Sequence, residues 1–315
     1  MNMNMLTLTV VRMLSLERPC AEGMPSHLAA GSGLTQVGNR IHVVADDALE
    51  LGVFDRTSQD PGKLFRLFER PTLPLDEHER KKIKPDLESS CLLQHEGKSF
   101  WLGLGSGSTE QRNKGICVSL SADGEPQSTI EFDLTPLYGE LKKAHPELNI
   151  EGTAPIVEQG RLRLAQRGNG SLVDNTLIDL DLQQAFANAR DGKAWGPELI
   201  RQECPLQLPT LAGSNGPVPL TITDLSPLSN GRCLFTAAAE DTSNPYEDGE
   251  VLGSCIGVVD LNGGVSQLFQ VDKKVKLEGI TGQEKDGGVE ALVVTDNDDP
   301  AHGATVYQTW LSLTA

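Results

Sequence analysis

Residues 277–296 read LEGITGQEKDGGVEALVVTD: a short strand, a turn at Asp286-Gly287-Gly288, and a second strand that ends in a hydroxyl and an acid. The same order of strand, turn and strand occurs four times earlier in the chain. The five copies share a hydroxyl or an acid near the beginning of the first strand, at Ser32, Glu88, Glu151, Thr223 and Glu278. Successive positions are 56, 63, 72 and 55 residues apart, so the pattern recurs along the whole chain and indicates an internal repeat.

Each repeat contains four apolar stretches, which is the strand content of a propeller blade. The sequence therefore predicts an all-β fold, a single five-bladed β-propeller with four-stranded blades over residues 1–315. We expect the N-terminal run Leu6–Val11 to close the ring as the outer strand of the last blade, beside Val306–Leu313, because closure removes exposed strand edges. A pair of β-sandwiches with a boundary near Asn188–Pro205 is the alternative, and repeats along the whole chain disfavour it.

The longer repeats leave room for helices between the blades. Thr135-Pro136 begins one, because proline is favoured in the first helical turn. The segment Asp181–Arg190 predicts a second helix, which Asp191-Gly192 ends. The segment Asp76–Lys84, charged on all sides, predicts a third helix that stops before Pro85.

Composition narrows the class of partner and the compartment. The chain carries 27 Lys and Arg against 44 Asp and Glu, a formal net charge of -17, which disfavours nucleic-acid and membrane-surface partners. No apolar run approaches the length of about 18 residues that a transmembrane helix needs. None of the six cysteines forms a CxxC pair, and no basic segment of a signal peptide precedes Leu6, so we expect a reduced, cytoplasmic setting.

The first strand of a propeller blade lines the central channel, so the five shared positions should form a ring around it. Three carboxylates in a narrow channel cannot all stay ionised unless a cation or protons compensate them. An all-oxygen ring without His or Cys favours calcium, with magnesium as the second choice. The predicted metal ligands are Ser32, Glu88, Glu151, Thr223 and Glu278, with Asp224 as an alternative to Thr223. Acids that bond backbone amides or hold channel water are the other interpretation.

The second strand of each blade runs antiparallel to the first, so its end should meet the same rim of the channel. The polar residues predicted on this rim are Asp46, Asp47, Ser106, Ser108, Arg167, Asn169, Glu240, Asp241, Asp296 and Asp298. They are predominantly acidic, which makes an anionic ligand dependent on a bound cation.

Several short motifs accompany the ring: Ser32-Gly33-Leu34, Asp46-Asp47, Leu102-Gly103-Leu104-Gly105, Leu164-Ala165-Gln166-Arg167 and Leu277-Glu278-Gly279-Ile280. With the order hydroxyl, Glu, Glu, hydroxyl, Glu, they resemble the calcium-activated nucleotidase (apyrase) family. That family is a five-bladed propeller with calcium on the central axis, and it hydrolyses nucleoside di- and triphosphates. The resemblance implies that the five ring residues are metal ligands. The chain departs from the family at Ser106-Gly107-Ser108-Thr109, where apyrases carry a charged and aromatic stretch, and at Thr223, where they have serine.

A closer overall likeness is to uncharacterised bacterial five-bladed propeller proteins of similar length. These proteins share stretches that resemble Lys84-Pro85-Asp86-Leu87-Glu88 and Leu104-Gly105-Ser106-Gly107-Ser108. A remoter resemblance, to the phytase-like esterase propellers, again implies phosphoester chemistry.

Two functional hypotheses follow. In the first, the protein is a metal-dependent hydrolase of phosphate esters or anhydrides, in which the metal neutralises phosphate charge and activates a water. Arg167 is then the phosphate clamp, and Asp46 or Asp47 is the general base. In the second, it is a non-catalytic propeller that binds a protein, a sugar or another small ligand on its rim. Both hypotheses place a small-molecule site at the mouth of the propeller.

Overall fold

Five antiparallel sheets follow one another along the chain, and each is one blade of a five-bladed β-propeller. The computed structural model describes residues 4–168, 173–214, 216–241, 250–297, 299 and 301–313. In each of the first four blades, four strands that follow one another in the sequence are also neighbours in the sheet. The fold predicted from the repeats is confirmed.

The strands alternate with short turns from the N-terminus onward. Two short strands, β1 (Asn4–Leu6) and β2 (Thr9–Met13), precede the blades. The first blade consists of β3 (Gly33–Val37), β4 (Arg40–Val44), β5 (Glu50–Asp55) and β6 (Lys63–Arg66). The second consists of β7 (Leu87–His95), β8 (Lys98–Gly105), β9 (Lys114–Leu120) and β10 (Pro126–Asp133).

The remaining blades follow the same plan. The third consists of β11 (Ile150–Ile156), β12 (Arg161–Gln166), β13 (Thr176–Asp181) and β14 (Ile200–Pro205). A hairpin of β15 (Thr210–Gly213) and β16 (Gly216–Pro219) leads to the fourth blade. That blade consists of β17 (Thr221–Pro227), β18 (Cys233–Asp241), β19 (Glu250–Val259) and β20 (Val265–Val271). The fifth consists of β21 (Lys276–Lys285), β22 (Gly288–Asp296), β23 (Thr305–Ser312) and the N-terminal β2.

Three α-helices lie between strands of the described chain. The helix α1 (Glu77–Ile83) links the first and second blades, and α2 (Thr135–Leu141) links the second and third. The helix α3 (Leu182–Arg190) instead lies inside the third blade, between β13 and β14, so its predicted place between blades was wrong. The cause is local: Asp181, the last residue of β13, caps the helix by accepting a hydrogen bond from the Gln184 amide at 2.8 Å. None of these helices is long and apolar enough to cross a membrane.

The hydrophobic core is divided into five clusters of buried side chains, one at each interface between neighbouring blades. Leu102 of the second blade and Leu164 of the third, for example, belong to one cluster. Leu34 of the first blade and Val294 of the last belong to another, so hydrophobic contact also joins the two ends of the ring.

The N-terminal segment closes the ring, as predicted, but it does so in two steps. The strand β2 pairs antiparallel with β23 and forms the outer strand of the last blade. The shorter strand β1 pairs in parallel with β20 and adds a fifth strand to the fourth blade. The predicted run Leu6–Val11 is thus divided between two blades.

Arg12, on β2, ties this closure to the first blade. Its side chain is almost fully buried, and the guanidinium donates hydrogen bonds to the main-chain carbonyls of Asp55, Ser58 and Asp60 at 2.6, 3.0 and 2.7 Å. These carbonyls belong to the end of β5 and the turn that follows it. A buried guanidinium that finds three acceptors satisfies the donors that burial would otherwise leave unpaired.

The five inner strands meet along a seam around the axis. The residue that follows each predicted ring position contacts the next inner strand, and these residues are Gly33, Ser89, Gly152, Asp224 and Gly279. A Cβ atom at Gly152 would lie 2.8 Å from the Leu225 amide nitrogen, and one at Gly279 would lie 2.7 Å from the Leu34 amide nitrogen. Glycine is therefore required at these two positions by the close approach of two backbones.

Two of the seam residues carry polar side chains instead of glycine, and both side chains form hydrogen bonds. The Ser89 and Thr153 hydroxyls are 2.8 Å apart, between the second and third blades. The Asp224 carboxylate accepts the Ile280 amide at 2.8 Å and the Leu225 amide at 2.7 Å, between the fourth and fifth blades. Each seam position therefore carries either glycine, which has no side chain, or a side chain that forms a hydrogen bond.

Replacing Gly152 by alanine should destabilise the propeller by about 1–3 kcal/mol, because the new methyl group overpacks the seam against main-chain atoms. Gly139, in α2, is the matched control, since a Cβ there meets nothing within 4 Å and alanine favours helix. Chemical denaturation of both variants measures the difference. Equal unfolding midpoints for Gly152→Ala and the wild type would contradict the account of the seam.

Candidate functional site

The predicted ring residues lie where the pairing between the first and second strand of a blade is interrupted. The register shifts between Leu87 and Ser89, between Ile150 and Gly152, between Ile222 and Asp224, and between Leu277 and Ile280. The residues skipped there include four of the five ring positions: Glu88, Glu151, Thr223 and Glu278. Each therefore lies at a β-bulge, which takes a residue out of the ladder and redirects its side chain. Ser32 lies just before β3, and its amide donates to the Val44 carbonyl at 2.9 Å.

The second strands end beside these bulges, as the antiparallel arrangement predicts. Leu87 pairs with Gly105, Ile150 with Gln166, and Lys276 with Asp296. We call the charged side chains gathered here the channel mouth, defined as Asp46, Lys84, Asp86, Glu88, Arg112, Glu151, Arg167, Glu240, Lys276, Glu278 and Asp296. Of the predicted rim residues, Asn169 and Asp298 lie outside the described residues. Asp241 does not join the mouth, because its carboxylate accepts hydrogen bonds from Ser214.

Arg167 lies among the three ring glutamates. Its Nε atom contacts Glu151 Oε1 at 3.0 Å, and the side-chain Nδ2 of Asn149 donates to the same oxygen at 2.5 Å. Burial lowers the Arg167 pKa, but the charges of Glu151, Glu278, Glu240 and Glu88 outweigh it, so this pKa lies above its usual value. The guanidinium is thus the cation that these four carboxylates share.

Lys84 occupies a second cluster of acids on one side of the mouth. Oxygens of Asp46, Asp86 and Glu88 lie within 4.8 Å of one another, as metal ligands do. The Lys84 ammonium bonds Asp46 and contacts Asp86 Oδ1 at 2.7 Å, and Arg112 contacts the other Asp86 oxygen at 2.8 Å. The chain therefore supplies its own cation at the place where the acids are closest.

Lys276 has the same role on the other side of the mouth. Its Nζ atom lies 3.3 Å from Glu278 Oε1, 3.4 Å from Asp296 Oδ2 and 3.5 Å from Glu240 Oε1. Three carboxylates share this one ammonium group at distances longer than the contacts of Lys84.

Negative charge nevertheless exceeds positive charge at the ring. Burial and the charge of Asp86 raise the pKa of Glu88 well above its usual range, and Glu151 adds to this effect. Burial raises the Glu151 pKa to about 7, although Arg167 and Lys276 oppose the rise. Burial also raises the Glu278 pKa well above its usual range, with Glu151 as a repelling neighbour. Buried carboxyl groups with raised pKa values that cluster together are a common mark of function.

The two predicted base candidates differ from each other. Burial disfavours charge on Asp46, but Lys84 outweighs it and holds the pKa of that carboxyl below its usual value. Burial, followed by repulsion from Asp46, raises the Asp47 pKa to about 6, with Arg80 at 3.8 Å as its cationic neighbour. Asp47 is therefore the member of the pair that exchanges a proton near neutral pH.

The side chain at the fourth ring position faces the seam. The Thr223 hydroxyl donates to the Leu277 carbonyl at 2.8 Å. Asp224, the alternative ligand, uses both carboxylate oxygens to accept seam amides and is fully buried, and burial raises its pKa well above the usual range. The structure brings together Glu88, Glu151, Glu278 and Arg167, and it places the Thr223 and Asp224 side chains between two blades.

Sequence reasoning missed the residues Lys84, Asp86, Asn149 and Lys276. Three of them occupy one position of the repeat, two residues before a ring glutamate: Asp86, Asn149 and Lys276. Residues two apart on a strand share a face, so polar residues at this position were the available signal.

A family model described as a family of unknown function (DUF6929) matches residues 27–311. No protein of curated function matches the sequence at a significant level. Among solved structures, an α-L-arabinofuranosidase from Podospora anserina has a TM-score of 0.50 at 10% identity, over 98% of this chain and 98% of that chain. A glutaminyl cyclase from Myxococcus xanthus has a TM-score of 0.47 at 12% identity, over 99% of this chain and 100% of that chain. At such identities the similarity concerns the fold alone.

The raised Glu151 pKa predicts an unusual dependence of stability on pH. The folded carboxyl holds its proton more tightly than the unfolded one, so its contribution is complete below pH 4.5 and is lost as the pH rises through about 7. Between pH 8 and pH 6, without divalent cations, the free energy of unfolding should rise by about 1 kcal/mol more in the wild type than in Glu151→Gln.

Denaturant unfolding at the two pH values measures this difference. Glu96→Gln, which changes an exposed acid beyond the other end of β7, is the control and should behave as the wild type does. An identical pH response in the wild type and Glu151→Gln would show that Glu151 titrates as an ordinary carboxyl.

Proposed function

The chain belongs to the DUF6929 family of unknown function, and we propose that it binds a hard divalent cation, calcium in the first place, on the propeller axis between Glu88, Glu151 and Glu278. The observation that carries the proposal is the position of the three carboxyl groups around one guanidinium, which contacts Glu151 at 3.0 Å; the raised pKa of each carboxyl group agrees with it. Protons partly neutralise the excess negative charge, and a divalent cation would replace them. Magnesium is the second candidate, because it prefers the same oxygen ligands.

The donors at this point suit such an ion. The three ring glutamates offer only oxygen, and none of the mouth side chains is a histidine or a cysteine. Oxygens of Glu88, Asp46 and Asp86 lie within 4.8 Å of one another, so Glu88 could share an ion with these two neighbours. Ser32 and Thr223 would add their oxygens from the first and fourth blades, although the Thr223 hydroxyl proton is used in the seam.

The cations of the mouth compete with the ion. Arg167 contacts Glu151, and Lys276 contacts Glu278, so a bound cation repels both and must share their carboxylates. Coulomb repulsion of this kind weakens the site without abolishing it, because each carboxylate has a second oxygen. Calcium tolerates the resulting irregular geometry better than magnesium, which requires a regular octahedron.

Hydrolysis of phosphate esters or anhydrides is the catalytic form of this proposal. A bound cation would neutralise phosphate charge in an otherwise acidic mouth. Arg167 contacts Glu151 through its Nε atom, and its Nη1 atom, which has no hydrogen-bond partner among the described residues, is the group that would contact a phosphate oxygen. Asp47, with a pKa of about 6, is the base candidate that this form favours over Asp46. The same site without turnover would be a cation-dependent binding module for a small ligand.

Calcium should raise the melting temperature of the protein above its value in EDTA by several degrees, because a ligand that binds only the folded state stabilises it. The rise should exceed that with magnesium. It should shrink in Glu88→Gln, Glu151→Gln and Glu278→Gln and persist in Glu96→Gln. Thermal melts of the five proteins test this.

An assay of phosphate release in the same buffers then distinguishes the hydrolase from the binding module. Its substrates are nucleoside di- and triphosphates and p-nitrophenyl phosphate. Calcium-dependent release that Glu151→Gln abolishes supports the hydrolase, and stabilisation without release supports the binding module. A melting temperature that no divalent cation changes would overturn the proposed function.

A further inference from the structure

Besides Asp86 Oδ1, which forms an ion pair with Lys84 at 2.7 Å, two buried polar atoms in the channel mouth have no hydrogen-bond partner among the described residues: Arg167 Nη1 and Glu240 Oε1. The first is a donor and the second an acceptor. Glu240 Oε1 lies 3.5 Å from the Lys276 ammonium, which attracts it without bonding it. Buried polar groups are almost always paired in folded proteins, so atoms left unpaired at one place indicate a missing partner.

The charges around these atoms restrict what that partner can be. The charges of Glu240 and Glu88 both act on Arg167. An anion would satisfy Arg167 but would be repelled by both glutamates, and a simple cation would satisfy the glutamates but not Arg167. A hydroxyl group carries no charge, accepts from the guanidinium and donates to a carboxylate.

We propose that the channel mouth binds a polyhydroxyl ligand, a sugar or a cyclitol, whose hydroxyl groups accept from Arg167 and donate to Glu240 and Glu88. The ligand occupies the same mouth as the proposed cation, and both contact Glu88. To that extent this inference rests on the proposed function. A rigid ring with several hydroxyl groups can bond separate donors and acceptors at once. Immobilising this one molecule costs less entropy than immobilising several independent water molecules.

Isothermal titration calorimetry with myo-inositol, D-ribose and D-glucose tests the proposal, in EDTA and again with calcium. Cyclohexanol, a six-membered ring with one hydroxyl, is the control probe. We expect saturable binding of at least one of the three polyols and none of cyclohexanol.

The variant Glu240→Met should weaken that binding about tenfold, since it removes a hydrogen bond to a charged acceptor. Asp241→Asn is the matched control, because it changes the adjacent residue, whose carboxylate bonds Ser214 outside the mouth. The melting temperature of each variant in buffer alone shows that it is folded.

The outcomes separate the two proposals. Polyol binding in EDTA with no effect of any cation would support this inference and overturn the proposed function. Stabilisation by calcium with no polyol bound in either buffer would overturn this inference alone. Equal polyol affinities in the wild type and Glu240→Met would also overturn it, as would a crystal structure at high polyol concentration in which only water contacts Arg167 Nη1 and Glu240 Oε1.

Discussion

The close approach of five inner strands around one axis is the constraint on which the rest of the molecule depends. Backbones that come so near one another admit only glycine or a side chain that bonds the neighbouring strand, as at Gly152, Gly279 and Asp224. The residue that immediately precedes each of these positions is left out of the strand pairing at a β-bulge. The same local distortion therefore packs the ring and takes the preceding residue out of the strand pairing, so the seam and the ring of glutamates have one structural origin.

The charge balance of the mouth follows from that geometry. The repeat places several acidic side chains close together around one axis, where they repel one another. Lys84, Arg167 and Lys276 form ion pairs with them and neutralise part of their charge. These cations are distributed unequally: Lys84 is tightly paired, while Arg167 keeps an unpaired donor and the ring carboxyls keep raised pKa values. The remaining imbalance distinguishes the mouth from a structural salt-bridge network, in which the partners are satisfied. It is the basis on which we propose that the ring exchanges its protons for a cation or for a hydrogen-bonding ligand.

Much of this could be predicted from the sequence because the determinants are local and repeated. The blade count, the inner strands and the closing strand followed from apolar stretches at a regular period, and the ring glutamates followed from one position of that repeat. The pairing of β1 with the fourth blade could not be predicted, because three residues in parallel with a distant strand leave no periodic signal. Lys84 was missed for a related reason, since its partners Asp46 and Asp86 come together only when two blades pack. The side chain of Asp224 could not be assigned to the seam because a register shift of one residue decides which way it faces.

The most direct test of the account is electron density on the propeller axis in crystals grown with calcium. The account predicts one ion bound by oxygens of Glu88, Glu151 and Glu278 at about 2.3–2.6 Å, with the Glu151 carboxylate shared between the ion and the Arg167 guanidinium. Density for water alone between the three glutamates at saturating calcium would contradict it. The acids and bases of the mouth would then form a closed network whose function is to hold the five blades together.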